Sequence, residues 1–307
     1  MNRRSLLQGF ALGVLAAPLQ LLLAAPAKHL SAGTADFDAR LAALERRHGG
    51  RLGVAILDTG TGRRAGYRTD DRFLMCSTFK LLAAAAALAR VDRGQERLDR
   101  RIIFEQADVL DWAPRTERRA GPPGMTVAEL CDAAMTVSDN TAANLLLASI
   151  GGPVALTRFA WTLGDPATRL DRFEPELNVG APGDLRDTTT PGAMLHDLRA
   201  LLLGDALSDG SRRQLIAWLR ASRTGLDKLR AGVPPHWDVG DKTGSGAAGE
   251  SNDVGILWPP RRPPVLVTAY YDLGRSDPAT SRAVLAAVGH VAANLHQAGP
   301  LSGVPGA

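Results

Sequence analysis

Cys76-Ser77-Thr78-Phe79-Lys80, running into Leu81-Leu82-Ala83-Ala84-Ala85-Ala86-Ala87-Leu88-Ala89, stands apart from everything around it. The Ala- and Leu-rich run favours helix. It has no polar face, so the helix is expected to be buried. Ser77 falls where that helix begins, after the short apolar lead-in Phe73-Leu74-Met75. Ser77 and Lys80 are three residues apart and share a face of one turn. A serine hydroxyl attacks well only when a base removes its proton. A lysine amine can be that base once burial lowers its pKa. The bland alternative is an N-cap serine beside a solvated lysine. Lysine usage argues against it. The chain has 36 Lys+Arg, of which only Lys28, Lys80, Lys228 and Lys242 are Lys. Arg fills the other cationic positions, and Arg cannot give up its proton in a protein.

Working outward toward the N-terminus, Arg51–Asp58 reads as a strand, Thr59-Gly60-Thr61-Gly62 as a turn and Arg63–Arg68 as a second strand, together a hairpin. Before it, Phe37, Leu41 and Leu44 mark an amphipathic helix over Asp36–His48, ended by Gly49-Gly50. Met1–Arg4 is basic, Leu6–Leu23 is mostly apolar, and Ala25-Pro26-Ala27 is a cleavage-type signal, so residues 1–27 read as an export peptide. Asn2-Arg3-Arg4-Ser5-Leu6-Leu7-Gln8 resembles the twin-arginine export motif; an ordinary secretory leader holding two Arg is the alternative. The mature protein is expected to be exported, to a periplasm or beyond, with no stable membrane association after cleavage.

Toward the C-terminus, Val91–Arg230 is dominated by helical patterns. Thr126-Val127-Ala128-Glu129 fits a capping box. Ser138-Asp139-Asn140 interrupts two apolar helices, Val127–Val137 and Thr141–Ile150. Arg169–Asn178 opens a long irregular loop reaching Asp187, a kind of segment that is usually functional or disordered. Arg172 could close it against Asp187, as a surface pair of small energetic weight. Then Trp237–Gly244, Asp253–Trp258 and Pro264–Tyr271 read as strands, and Ser281–Leu295 as a helix. The fold expected is α+β: an antiparallel sheet built from both chain ends with flanking terminal helices, plus an inserted all-α domain. The boundaries are 28–75 and 231–307 for the α/β part, and 76–230 for the helical part.

Composition excludes several function classes. At 307 residues and 45% hydrophobic the chain can bury a large core. Loss of Arg3 and Arg4 takes a formal charge of +4 to +2, too little for nucleic acid, and no basic stripe is interleaved with aromatics. Cys76 and Cys131 have no metal-ligand spacing, so neither metal nor cofactor is expected. No Gly-x-Ser-x-Gly occurs, which disfavours a Ser-His-Asp esterase.

Lys242-Thr243-Gly244-Ser245-Gly246 puts another of the scarce lysines at a strand end, between hydroxyls and glycines. Ser77-Thr78-Phe79-Lys80, Ser138-Asp139-Asn140, Glu174-Pro175-Glu176-Leu177-Asn178 and Lys242-Thr243-Gly244 together, in this order, resemble the class A β-lactamases. The likeness spans nearly the whole mature chain. It implies that Ser77 is acylated by the β-lactam, with Lys80, or Glu174 through a water, taking its proton. The backbone N–H groups of Ser77 and Ser245 would form an oxyanion hole. Ser138 would protonate the leaving nitrogen. Glu174 and Asn178 would position the deacylating water. Asn140 would bind the substrate side-chain amide and steady Lys80. Lys242, Thr243, Gly244 and Ser245 would bind the substrate carboxylate end. Trp112 matches a rim aromatic or is a half-buried surface residue. Arg282 matches a carboxylate-binding arginine, since Glu250-Ser251-Asn252-Asp253 lacks the one some relatives carry, or is a solvated helix-start residue. Gly246 stands where carbapenem-hydrolysing relatives pair a cysteine with the equivalent of Cys76, and Ala84 where Cys131 would find a partner, so both thiols are expected free. The partners implied are small-molecule β-lactams acting on a monomer. A penicillin-binding peptidase or a β-lactam sensor, each acylated without efficient turnover, is the alternative; the Glu174 loop and the lack of a second membrane segment favour turnover.

Overall fold

The structure, a computed structural model, describes residues 32–181 and 183–297. The expected leader, residues 1–27, lies outside the described residues, as does Lys28. Helix α1 (Ala32–His48) stops at Gly49 and Gly50, both at positive φ where a side chain would be strained. The expected hairpin follows as β1 (Arg51–Asp58) and β2 (Arg64–Tyr67). Strand β3 (Phe73–Leu74) leads into a single 3₁₀ turn, Cys76–Thr78, and then α2 (Phe79–Asp92). Short strands β4 (Arg101–Ile102) and β5 (Met125–Thr126) pair ahead of α3 (Val127–Thr136), α4 (Asn140–Ile150) and α5 (Pro153–Leu163). After a long loop, β6 (Thr188–Thr189) pairs with β3, followed by α6 (Pro191–Leu202) and α7 (Asp209–Arg220). Three long strands, β7 (Asp238–Ser245), β8 (Glu250–Trp258) and β9 (Val265–Asp272), and helix α8 (Pro278–Gln297) complete the described chain.

The sheet runs β2-β1-β9-β8-β7, antiparallel throughout, so the two chain ends do build one sheet. Its alternation is that of a sheet covered on both faces. Val54 and Ile56 join the core under α1 and α8, whereas Ala55 and Leu57 join the core shared with the helices that follow. Helix α2 is buried from Phe79 to Ala89 and packs against α3, α4, α5 and α7. Its alanines let those neighbours approach closely, and each fully buried Leu contributes about 1.5–3 kcal/mol. The capping box on α3 is present, with Thr126 Oγ1 accepting from Glu129 N and Thr126 N donating to the Glu129 carboxylate.

Three differences from the sequence reading have simple causes. Strand β8 starts at Glu250 rather than Asp253, because Ser251, Asn252 and Asp253 are polar yet buried against neighbours that the local pattern does not reveal. Helix α8 starts at Pro278, the favoured first-turn position for proline. The Arg172–Asp187 pair is not a surface pair. Asp187 is fully buried and accepts from Arg172 Nε at 2.6 Å and from the backbone N–H groups of Asp171 and Arg172 at 2.8 and 3.0 Å. It is a clamp across the neck of the long loop.

Candidate active site

The 3₁₀ turn Cys76–Thr78 holds Ser77 at the entrance to α2, with Lys80 one turn in. Two features fix the turn. The Thr78 hydroxyl donates to the Met75 carbonyl at 2.8 Å. On the other side Gly244, on edge strand β7, lies so close that a Cβ there would sit 2.7 Å from the Met75 carbonyl oxygen and 3.1 Å from Cys76 Cβ. Only glycine allows that approach. Asn252, opposite Gly244 on β8, donates to the carbonyls of Leu74 and Met75 at 2.9 and 3.1 Å.

Lys80 is fully buried. Its ammonium lies 3.0 Å from Glu174 Oε1, and donates to the Ser138 carbonyl at 2.9 Å and to Asn140 Oδ1 at 2.7 Å. Burial pushes the amine below its ordinary pKa, and the Glu174 carboxylate holds it up against that cost. The same Glu174 Oε1 accepts from Ser77 Oγ at 3.4 Å. One carboxylate oxygen therefore faces both the hydroxyl and the amine. Glu174 is itself held from three sides. Asn144 on α4 donates to its backbone carbonyl and accepts from its backbone N–H, both at 2.9 Å. Asn178 Nδ2 donates to its second carboxylate oxygen.

The loop between α3 and α4 supplies Ser138 at φ 60°. Asp139 anchors that loop, its carboxylate accepting from the N–H groups of Ala142, Arg115 and Thr116 and from the Thr116 hydroxyl. Ser138 Oγ stands between two ammonium groups, 3.1 Å from Lys242 and 3.4 Å from Lys80. A hydroxyl oxygen that accepts from two cations keeps its own proton for a third partner. Lys242 is also fully buried, and burial reinforced by the Lys80 charge pushes it well below its ordinary pKa.

Ser77, Lys80, Ser138, Asn140, Glu174, Asn178 and Lys242 are thus joined in one network beside Gly244, and Ser245 is exposed at the end of β7. Three expected residues are engaged elsewhere or sit at the edge. The Thr243 hydroxyl donates to Thr224 Oγ1 at 2.6 Å. Trp112 is 64% exposed, not half-buried, at φ 57°. It is tied to the Ser138–Asn140 loop, its indole donating to the Val137 carbonyl at 3.0 Å and its carbonyl accepting from Asn140 N at 3.0 Å. Arg282 pairs with Asp227 at 3.3 Å on the surface. Asn144 and Asn252 were missed by the sequence reading, because an Asn inside an apolar helix or strand carries no motif. For Asn144 the available signal was a polar residue inside the apolar run Thr141–Ile150; for Asn252, inside the polar stretch Glu250–Asp253, there was none. Cys76 and Cys131 are both buried and unpaired, and burial pushes both thiols up, away from the reactive thiolate. Among the described residues no group of three His, Cys, Asp or Glu gathers as metal ligands.

The sequence pattern of the Beta-lactamase enzyme family matches residues 36–297. The chain is 45% identical over 280 residues to Beta-lactamase OXY-2 of Klebsiella oxytoca, covering 91% of this chain and 96% of that one. It is 47% identical over 278 residues to a Beta-lactamase of Streptomyces albus G, covering 87% and 88%. Among solved structures, an ancestral (GNCA) Beta-lactamase class A superposes with a TM-score of 0.82 at 59% identity, covering 84% of this chain and 99% of that one.

Proposed function

The chain belongs to the class A β-lactamases and hydrolyses β-lactams, and we propose that Ser77, Lys80, Glu174 and Ser138 divide the chemistry as follows. Ser77 Oγ attacks the lactam carbonyl carbon while its proton passes to the Lys80–Glu174 pair. The developing oxyanion is met by the N–H groups of Ser77 and Ser245. The C–N bond then breaks, and Ser138 delivers a proton to the ring nitrogen, replenished from the Lys80 and Lys242 side. Glu174, with Asn178, takes a proton from a water that attacks the ester carbonyl. The Ser77–acyl bond breaks, Ser77 regains its proton, and the ring-opened acid leaves. Lys242 and Ser245 receive the substrate carboxylate, with Gly244 giving the close backbone approach. Thr243 joins them by rotating its hydroxyl from Thr224. Asn140 meets the side-chain amide, Trp112 forms the rim, and Arg282, once released from Asp227, turns to the substrate carboxylate.

The observation that carries this reading is the single Glu174 oxygen shared between Ser77 Oγ at 3.4 Å and Lys80 Nζ at 3.0 Å. A carboxylate so placed serves the deacylation step that a stalled penicillin-binding protein lacks. In Glu174→Ala the acyl-enzyme should accumulate on Ser77, seen by mass spectrometry, while steady-state turnover falls by about 10²–10⁴-fold. Undiminished turnover in that variant removes Glu174 from deacylation.

A further inference from the structure

Lys228 is the one lysine of the described chain that the mechanism above leaves unused. It is 7% exposed, in the segment between α7 and β7. That segment lies flat on the sheet. A Cβ at Gly225 would fall 1.6 Å from an Asp241 carboxylate oxygen, and Thr224 takes the Thr243 hydroxyl. Among the described residues the Lys228 ammonium makes no direct ion pair. It lies 3.4 Å from the Gly244 carbonyl oxygen and 3.5 Å from that of Asn252, two residues that face each other across β7 and β8. Both neighbours matter to the nucleophile. Gly244 abuts the Met75 carbonyl, and Asn252 holds the carbonyls of Leu74 and Met75.

A trans peptide is rigid and planar, with its C=O and N–H pointing in opposite directions. The plane that contains the Gly244 carbonyl also contains the Ser245 N–H. A cation on the carbonyl both orients that plane and polarises it, making the N–H a stronger donor. We propose that Lys228 is a positioning residue of the oxyanion hole, acting on the Ser245 N–H through the Gly244–Ser245 peptide. A lysine ammonium is a compact point charge with three donors, which suits contact with two carbonyls at once. Burial pushes the ammonium down in pKa, and the nearby Asp253, Asp227 and Asp241 carboxylates hold it up. The inference rests on the assignment of Ser245 N–H as an oxyanion donor.

The test is rapid-mixing infrared spectroscopy of the acyl-enzyme formed with a chromogenic cephalosporin, together with the acylation rate constant. In the parent the ester carbonyl band lies below that of an unbonded ester, because the hole polarises it. Lys228→Met is expected to raise the band and slow acylation about tenfold, a fraction of the 10²–10³ that losing a donor outright costs. Lys228→Arg should recover part of both. If Lys228→Met fails to fold because buried Asp253 loses one of its nearby cations, Lys228→Met/Asp253→Asn is read by the same criteria. A band that stays put while the rate falls, or while only KM rises, overturns the proposal in favour of a structural or direct substrate-binding role. Failure of the underlying reading looks different: the parent itself would show no lowered band, or no adduct on Ser77.

Discussion

Asn144 contributes no atom to the chemistry, yet it holds the backbone of Glu174 through both its amide nitrogen and its amide oxygen at 2.9 Å. Removing the amide leaves a backbone donor and acceptor without partners, at a cost of about 1–3 kcal/mol. It also frees the carboxylate to drift, and a displacement of about 1 Å can cost 10²-fold in rate. Asn144→Ala is therefore expected to slow deacylation about 10²-fold while the acylation burst keeps most of its rate. A burst and a steady state that fall together would place the defect in the nucleophile instead. The contrast with Lys80 is instructive. Ser-x-x-Lys was legible because a lysine in an Ala-rich helix start is chemically out of place. Asn144 was not, because its partner lies 30 residues away and only the fold brings the two together.

Among the elements, the long loop depends on its neck. Asp187 is fully buried, at φ 58°, and its carboxylate takes three hydrogen bonds from Asp171 and Arg172. Its own carbonyl accepts from Met75 N at 2.9 Å, so the clamp reaches the lead-in to the nucleophile turn. Breaking a buried pair costs about 3–5 kcal/mol, and the partial exposure of Arg172 reduces this to about 2 kcal/mol. Asp187→Asn should show that loss in urea denaturation and new proteolytic cuts between residues 169 and 187. Parent-like stability with an uncut loop would mean that the clamp is dispensable. The sequence named both residues and the possible pair, but assigned it a surface weight. Burial is a property of what the loop folds onto, and nothing within the loop records it.

Across the whole molecule the least expected feature is a carboxyl pair far from any motif. Asp197 on α6 is buried with no hydrogen-bond partner for either carboxylate oxygen, and Asp165, beyond α5, is buried with one oxygen unpartnered. Burial pushes Asp197 well above the ordinary carboxylate range, and the neighbouring Asp165 carboxylate pushes it further. Asp197 is therefore the buried carboxyl that favours its protonated form. Burial pushes the Tyr270 hydroxyl on β9 up, and His196, adjacent on α6, is turned away to the Leu163 carbonyl. A folded-state pKa raised above the unfolded value means that the native state holds the extra proton. Its stabilising effect is complete below about pH 4 and is lost as pH rises toward the folded value. Asp197→Asn removes the titration at nearly constant side-chain shape. Its melting temperature should match the parent near about pH 4 and exceed it increasingly toward about pH 8. Parallel profiles across that range would rule out a raised pKa at Asp197.

The sequence by itself determined the sheet built from two distant segments, the helical block between them, and the candidate hydroxyl, amines and carboxylate that the fold brings together. Those follow from local periodicity and from residue types that are costly anywhere but in a site. Only the tertiary structure decided which side chains are turned inward, how Asn144 holds the backbone of Glu174 and Asn252 the lead-in to Ser77, and where Lys228 and Asp197 are buried. Those outcomes depend on burial and on contacts between segments far apart in sequence. Free energies of that kind arise between surfaces that meet only when the chain is folded.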